Sequence, residues 1–426
     1  MSMESKMKPL PSVRSRQSST VGRGTTSLRV LLYSHDSWGL GHLKRSLAIA
    51  GAITARFADT DVLIVTGSPC ATQFGLPNRC DIVKLPAVSK DVRGQYIPRT
   101  LSGCVSRTID LRSCLILESY RSFDPHLIIV DHQLTGLLGE ALAMLREARS
   151  AGKTLIYGMR DVLDSAEYVA ASWDTHEHRW ALAHAYDRIC IYGTPDVFDP
   201  RKQYKILEPF RHKIDFTGYI VAPLNMSWRQ PVPSLRKKVL VTMGGGEDGQ
   251  QWVDTYIRVL KERPADWATH IVTGPLMDPA MVRHYKHTIR RLGLADRTRI
   301  SRFCAYVPRL LQESDAVVSM AGYNSCVEIM QSRVPAILTP RLQYRKEQLI
   351  RARRLEEMGL VSCVTDTDPE QLRDAIEQAL QRQDAKKAYP SLSGLDRLCD
   401  IIDDLMTADV EQARNCTVSR LRIGSG

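Results

Sequence analysis

The chain has 426 residues, 43% of them hydrophobic and 25% charged, the balance of a soluble globular protein and not of a disordered or fibrous one. Its apolar runs, such as Leu127–Val130 and Ala316–Val318, are strand-sized and far short of the roughly 20 residues that cross a bilayer. The 58 Lys+Arg against 47 Asp+Glu leave a net charge of +11, which suits anionic partners such as nucleotide phosphates or acidic lipid; on charge alone, a solvated surface with a basic tail is the plainer reading.

At roughly 100–200 residues per domain, two domains are expected. Residues 1–27 are polar and rich in Ser, Thr and Arg, with no apolar core for a secretory signal, and read as a disordered basic tail. Leu28–Tyr33 reads as a buried strand, His42–Phe57 as a helix with Leu43, Leu47, Ala50 and Phe57 near one face, and Val62–Thr66 as a second strand. This βαβ order predicts a parallel sheet. Residues 85–106 look like a mobile loop region. Strands follow at His126–Val130, Thr154–Tyr157 and Arg188–Tyr192, with helices at Leu137–Arg149 and Trp173–Ala185 between them. Pro223, Pro231 and Pro233 mark a linker. A second series has strands at Lys238–Met243, Thr269–Thr273, Arg299–Phe303, Ala316–Ser319 and Ala336–Leu338. The expected layout is a first domain over 28–222, a linker over 223–236, a second domain over 237–406 and a flexible tail over 407–426. Two α/β domains so joined place a ligand in the cleft between them. Ten cysteines without a C-x-x-C pair point to a reducing, cytoplasmic setting and away from zinc.

Three loops carry chemistry. Ser37-Trp38-Gly39-Leu40-Gly41-His42 lies between the first strand and its helix, where glycines and a helix N-terminus admit an anion; a tight turn explains it as simply. It is neither a dinucleotide fingerprint nor a P-loop. Met243-Gly244-Gly245-Gly246 follows a Val-rich strand and suits phosphate contact by main-chain N–H groups. Ala321-Gly322-Tyr323-Asn324-Ser325 leads to Glu328. The Ser325-x-x-Glu328 spacing is either a capping box or a site in which helix N–H groups and Ser325 hold a phosphate while Glu328 accepts from sugar hydroxyls. Asp59-Thr60-Asp61, Asp366-Thr367-Asp368 and His176-Glu177-His178 read as structural, so no metal site is expected.

The second half resembles the C-terminal domain of glycosyltransferase family 28. The motifs run from Gly244–Gly246 through Arg302-Phe303-Cys304-Ala305-Tyr306-Val307-Pro308, the Ala321-Gly322 loop and Glu328 to Pro335–Pro340, Gln348 and Ala352. The first half is similar through Gly39-x-Gly41-His42. The resemblance implies an α/β GT-B fold, two Rossmann-like domains with parallel sheets facing a cleft. It puts Glu328 on the nucleotide ribose, Gly244, Gly245, Gly246 and Ser325 near the diphosphate, and Gly41 and Gly322 among the donor-binding residues. Phe303 and Val307 fall by the base, and Gln348 near the donor sugar. Many relatives have Gly-Gly-Ser where this chain has three glycines, and the loop Pro340–Arg345 is more basic than theirs.

The implied activity is inverting transfer of a sugar from a nucleotide-sugar donor, UDP-linked by expectation, to a hydroxyl acceptor of lipid, polysaccharide or small-molecule type. His42 is the expected base or its partner, with Asp131 and Asp161 as other catalytic candidates. His132 and Arg160 are acceptor-side candidates placed only by their strand ends. No cofactor and no nucleic-acid partner is expected. The basic tail and the resemblance together suggest an anionic membrane surface on the cytoplasmic face. A nucleotide-sugar 2-epimerase of the same fold and a non-catalytic nucleotide-sugar-binding regulator are the alternatives. Ala321-Gly322 and a single Glu328 argue against the epimerase, whose relatives carry a Gly-Gly loop and paired glutamates.

Overall fold

A computed structural model describes residues 27–423 apart from 36–40, 74, 92–94, 225–234, 247, 305, 343–344 and 383–387, and the side chains of 73, 90 and those beyond 408. Strand β1 (Arg29–Ser34) is buried at five of its six positions, as befits a strand covered on both faces. Helix α1 (Gly41–Arg56) and β2 (Asp61–Thr66) complete the first βαβ unit, and β3 (Cys80–Lys84) extends it. β6 (Leu127–Asp131), β7 (Thr154–Arg160), β8 (Arg188–Tyr192) and β9 (Ile214–Phe216) make up the other side of the sheet. Its order is β3-β2-β1-β6-β7-β8-β9, with every neighbouring pair parallel.

The segment expected to be a mobile loop instead forms an antiparallel hairpin, β4 (Val88–Lys90) and β5 (Tyr96–Pro98), and runs into a 19-residue helix, α2 (Val105–Phe123). The helix was hidden because Arg112 occupies its buried face among Ile109, Ile116 and Tyr120. Arg112 is fully buried, bonds both oxygens of buried Glu140, and Tyr33 donates to the same carboxylate at 2.6 Å. A buried charge met by its partner breaks the apolar period that sequence reading relies on.

The expected helix from Leu137 begins later, as α3 (Leu142–Ser150), after a 3-10 turn over Leu137–Gly139. Gly136 turns at φ 78°, and a Cβ there would meet the Ala141 nitrogen at 2.7 Å, so the chain must turn before it can coil. The expected helix Trp173–Ala185 is divided between α4 (Ala166–Trp173) and α5 (His176–Trp180), which passes into a π-turn over Ala181–Ala185. Thr175 makes the break by capping α5, accepting from the His178 amide. The short α6 (Pro200–Gln203) precedes β9.

The second sheet uses β10 (Lys238–Thr242), β11 (Ala268–Val272), β12 (Thr298–Ser301), β13 (Ala316–Ser319), β14 (Ala336–Leu338) and β15 (Ser362–Cys363), in the parallel order β12-β11-β10-β13-β14-β15. Its helices are α7 (Gln250–Glu262), α8 (Pro279–Arg291), α9 (Val307–Gln312), α10 (Tyr323–Ser332), α11 (Glu347–Glu357) and α12 (Pro369–Gln381). α13 (Gly394–Ile423) returns to the first sheet's side, where Leu395, Leu398 and Ile402 share a core with Ile49 and Ala50 of α1. The segment expected to be a loose tail from 407 stays helical to Ile423, since no Pro or Gly interrupts it before Gly424. Most of the linker expected over 223–236 lies outside the described residues.

Each sheet reverses its strand order once, between β1 and β6 and between β10 and β13. At such a switch point the loops leaving two adjacent strands diverge and open a crevice at their carboxyl ends. The two crevices face each other. Asn324 in the first turn of α10 donates from Nδ2 to the Gly41 carbonyl at 2.8 Å, which joins the beginnings of α10 and α1.

Candidate active site

In the first crevice, Ser34 ends β1 beside Asp131, the last residue of β6. His42 and Arg45, three apart on α1, project from one helix face onto that carboxylate. Arg45 binds it with two points, Nε to Oδ1 at 2.9 Å and Nη2 to Oδ2 at 2.7 Å, and His42 Nδ1 lies 2.6 Å from Oδ2. Arg45 Nη2 also lies 2.8 Å from Nδ1 and can only donate, but the ionised Asp131 carboxylate can only accept, so the shorter contact to Oδ2 puts the hydrogen on Nδ1 and leaves Nε2 with its lone pair. The His132 ring stacks on His42 with centroids 4.9 Å apart, and His35 stands edge-on at 5.7 Å.

Burial pushes His42 down to about 4, against the pull of Asp131, whose charge Arg45 already meets. Burial therefore keeps His42 neutral at pH 7. His35 and His132 are held well below the usual histidine range, again by burial first. Burial alone would raise Asp131; Arg45 holds it well below the usual carboxylate range.

In the second crevice, Gly244 and Gly246 turn at φ 58° and 97° directly after β10. The turn sits on Gly274, where a Cβ would come 2.5 Å from the Gly245 carbonyl carbon. Gly246 spends its N–H on the Met243 carbonyl at 3.0 Å and shapes the turn, while Gly244 and Gly245 face the cleft. The N-cap of α10 is Gly322, so Ser325 and Glu328 lie inside the helix and are not a capping box. Lys44 of α1 reaches Glu328 at 3.5 Å. Gln348 accepts the Arg341 amide at 3.0 Å through Oε1.

One cleft of about 270 Å³ gathers Gly41, His42, Lys44, Arg45 and Arg160 from the first domain, and Gly244, Gly245, Phe303, Val307, Gly322, Ser325, Glu328 and Gln348 from the second. The structure thus brings together most of the residues singled out in the sequence. Residues 36–40 of the first loop lie outside the described set. Asp161 is not free to act as a base: Arg351 binds both its oxygens, and the Tyr219 hydroxyl and the Val162 amide donate to it as well. His132 faces a separate cavity of about 510 Å³ walled by Tyr96, Leu137, Tyr168 and Trp173. Arg160 donates to His132 Nε2 at 2.9 Å but lines the shared cleft. A larger apolar groove of about 800 Å³ runs between α1 and α13; it reaches Lys44 and Glu328 but not His42 or the glycine loops, so the polar chemistry lies in the smaller cleft.

Residues 239–405 match the family described as glycosyltransferase family 28 C-terminal domain. The match spans the second domain, which is similar to the family 28 glycosyltransferases. The UDP-N-acetylglucosamine--N-acetylmuramyl-(pentapeptide) pyrophosphoryl-undecaprenol N-acetylglucosamine transferase of Exiguobacterium sibiricum is 26% identical over 189 residues, covering 41% of this chain and 50% of the relative. The same-named protein of Leuconostoc mesenteroides subsp. mesenteroides is 31% identical over 119 residues, 27% of this chain and 31% of the relative. The chain thus spans half or less of the curated relatives it matches. Among solved structures, Acinetobacter baumannii MurG is 14% identical with a TM-score of 0.53, covering 88% of this chain and 99% of that one. A putative UDP-N-acetylglucosamine 2-epimerase from Listeria monocytogenes is 12% identical with a TM-score of 0.61, covering 91% and 98%. These likenesses establish the GT-B fold, in which the family 28 domain is the second of two Rossmann-like halves.

Sequence reading missed Arg45, Lys44, His35, Asn324 and Gly274. Arg45 had a usable signal, since i+3 from His42 places it on the same face. Asn324 and Gly274 act through tertiary contacts that no local pattern carries. Among the described residues, no group of three His, Cys, Asp or Glu is placed to hold a metal, and no helix is long and apolar enough to cross a membrane. Asp368 caps α12 ahead of Pro369, and Asp59 and Asp61 both pair with Arg79.

Proposed function

We propose that the chain is an inverting glycosyltransferase that moves a sugar from a UDP-linked donor to an acceptor hydroxyl. The observation that carries this is His42, oriented by Asp131 with a bare Nε2, in one cleft with Gly244, Gly245, Gly322, Ser325 and Glu328. The Gly244 and Gly245 backbone and the N-terminus of α10 receive the diphosphate. Glu328 accepts from the ribose, and Phe303 and Val307 flank the base. The cavity beyond His132 receives the acceptor.

The acceptor oxygen attacks the anomeric carbon as His42 Nε2 takes its proton. The bond from that carbon to the diphosphate breaks on the opposite face, and UDP leaves on backbone donors. One displacement inverts the anomeric configuration. The activity for which the relatives are named, transfer from UDP-N-acetylglucosamine, supports the donor class. The fold does not separate transfer from 2-epimerisation, since both occur among the neighbours. The single Glu328 and the open second cavity favour transfer. Attachment to the cytoplasmic face of a membrane belongs to this reading, supported by the basic residues 1–27 and by exposed Ile97, Leu101 and Leu111.

The test is incubation of the full chain with UDP-N-acetylglucosamine and UDP-glucose over an acceptor panel, with the anomeric configuration of the product read by NMR. A product of opposite configuration to the donor supports the reading. Epimerised donor without a glycoside, or binding without turnover, refutes it.

A further inference from the structure

Of the three cations that line the cleft among the described residues, Lys44 and Arg45 are matched to carboxylates and Arg160 is not; Arg351 and Arg341 beside it are matched as well. Lys44 faces Glu328, Arg45 grips Asp131, and Arg351 grips Asp161. Arg341 is shared by Asp248 at 2.5 Å and Glu347 at 2.6 Å. Arg160, the last residue of β7, has no carboxylate within ion-pairing distance among the described residues. Its Nη2 bonds His132 Nε2 at 2.9 Å, and its Nε is buried with no partner.

The bond to His132 does not neutralise Arg160. A guanidinium can only donate, so His132 Nε2 accepts and the imidazole stays uncharged. Burial lowers Arg160 to about 10; Glu347 pulls the other way, but its carboxylate is already taken by Arg341, and Arg351 and Arg45 add repulsion. A partly buried cation with an unmet donor costs the ligand-free protein stability, and the cost is recovered when an anion arrives. The planar fork of arginine fits an oxyanion at two points.

We propose that Arg160 is a donor-binding residue that takes an oxyanion of the bound nucleotide sugar, either a diphosphate oxygen or a carboxylate on the sugar. The inference rests on the donor reading of the cleft. The side is set by the lining: Arg160 shares its cleft with Gly244, Gly322 and Gln348, whereas His132 lines the neighbouring cavity. Arg160 thus lines the cleft that holds the glycine loop and touches the residue that lines the neighbouring cavity.

The experiment is calorimetric titration of the full chain and of Arg160→Gln and Arg160→Lys with UDP, UDP-glucose and UDP-glucuronate, beside thermal melting without ligand. If the diphosphate is the partner, Arg160→Gln weakens all three by about 10–100-fold, as for a lost bond to a charged group. If a sugar carboxylate is the partner, only UDP-glucuronate weakens by that factor. Arg160→Lys, which keeps the charge and loses the fork, falls between wild type and Arg160→Gln. The ligand-free variants melt no lower than wild type, because no ion pair is lost. Unchanged affinity for all three ligands overturns the proposal, with or without a lower melting temperature, and leaves Arg160 a prop for His132. Weakening of both sugar nucleotides with UDP unaffected also overturns it, since the contact is then to a sugar hydroxyl. If the wild-type chain binds none of the three, the donor reading itself has failed, a result distinct from a failure at Arg160.

Discussion

Arg351 of α11 reaches into the first domain and grips Asp161 at two points, Nη2 to Oδ1 at 2.7 Å and Nε to Oδ2 at 2.9 Å, with both side chains wholly removed from water. Arg351 also donates to the Ala321 carbonyl at 2.8 Å, so it ties the second domain's ligand loop to the end of β7. Asp161→Ala leaves that guanidinium buried and unpaired, and is expected to cost about 3–5 kcal/mol in urea unfolding. The double variant Asp161→Leu with Arg351→Met recovers most of the loss, because two apolar groups replace a pair that was costly to desolvate. A stable Asp161→Ala protein with lost turnover would instead return Asp161 to the catalytic candidates.

For His42 the expected split is between turnover and binding. His42→Ala removes the proton acceptor and loses about 10²–10⁴-fold in kcat. UDP affinity stays near wild type, since none of the proposed diphosphate and ribose contacts is made by the His42 side chain. Steady-state kinetics beside calorimetry measure both. Near-normal kcat with weakened UDP binding would make His42 a phosphate contact.

The histidine cluster also fixes a pH dependence of stability. His42 falls from an ordinary value of about 6.5 to about 4 in the folded chain, and His35 and His132 shift the same way. Between those values the unfolded chain binds more protons than the folded one, so stability rises with pH across the window and is lost as pH falls from about 6.5 toward 4. His42 alone accounts for about 3 kcal/mol of that loss at the lower end. Asp131, held low in the folded chain, adds to the same slope only at the acid end of this range, where its unfolded carboxylate begins to take up protons below about pH 5. Urea midpoints at pH 7 and pH 5 read the effect, and His42→Gln flattens it.

Much of the second crevice was legible in the sequence, because its parts are local. A glycine run after an apolar strand and a short loop before a helix announce themselves in a few residues, and the structure puts Gly244, Gly245, Gly322 and Glu328 in one cleft. The first crevice was legible only in fragments. His42 and Asp131 could be placed at an element's beginning and end, but their contact spans 89 positions, and Arg45, which completes it, looks from sequence like one more solvated helix charge. Asp161 was misjudged for the same reason: a carboxylate at a strand end suggests a base until its partner appears 190 residues later. Arg112 shows the parallel failure in the fold, since a buried charge erased the period of a 19-residue helix.

Glu328 separates binding from folding. The helix cap is Gly322, so Glu328→Ala removes no cap and leaves the melting temperature near wild type, apart from the small contribution of the 3.5 Å contact to Lys44. Donor affinity falls by about 1–3 kcal/mol, the range for a lost hydrogen bond to a charged group. Calorimetric titration with UDP, set beside melting, measures the two. Intact affinity would take Glu328 off the ribose.

Gly274 tests whether the glycine loop acts through its shape. It lies just beyond β11 at φ 94°, a backbone region that side chains disfavour, and a Cβ there would lie 2.5 Å from the Gly245 carbonyl carbon and 2.6 Å from the Gly244 carbonyl oxygen. Both neighbours are backbone, so neither can rotate aside. Gly274→Ala must push Gly244 and Gly245 toward the cleft or twist its own turn, at a stability cost of about 1–3 kcal/mol. No donor-facing group is deleted, because Gly274 has no side chain to lose. Donor affinity is nonetheless expected to fall at least tenfold, since amides displaced by even a few tenths of an ångström no longer converge on the diphosphate. UDP titration on Gly274→Ala reads this directly, and Gly293→Ala is the control: it too has positive φ, 68°, but a Cβ there meets nothing within 4 Å. If the two variants bind UDP equally well, the loop's shape is not what holds the diphosphate, and the search moves to the N-terminus of α10 and Ser325.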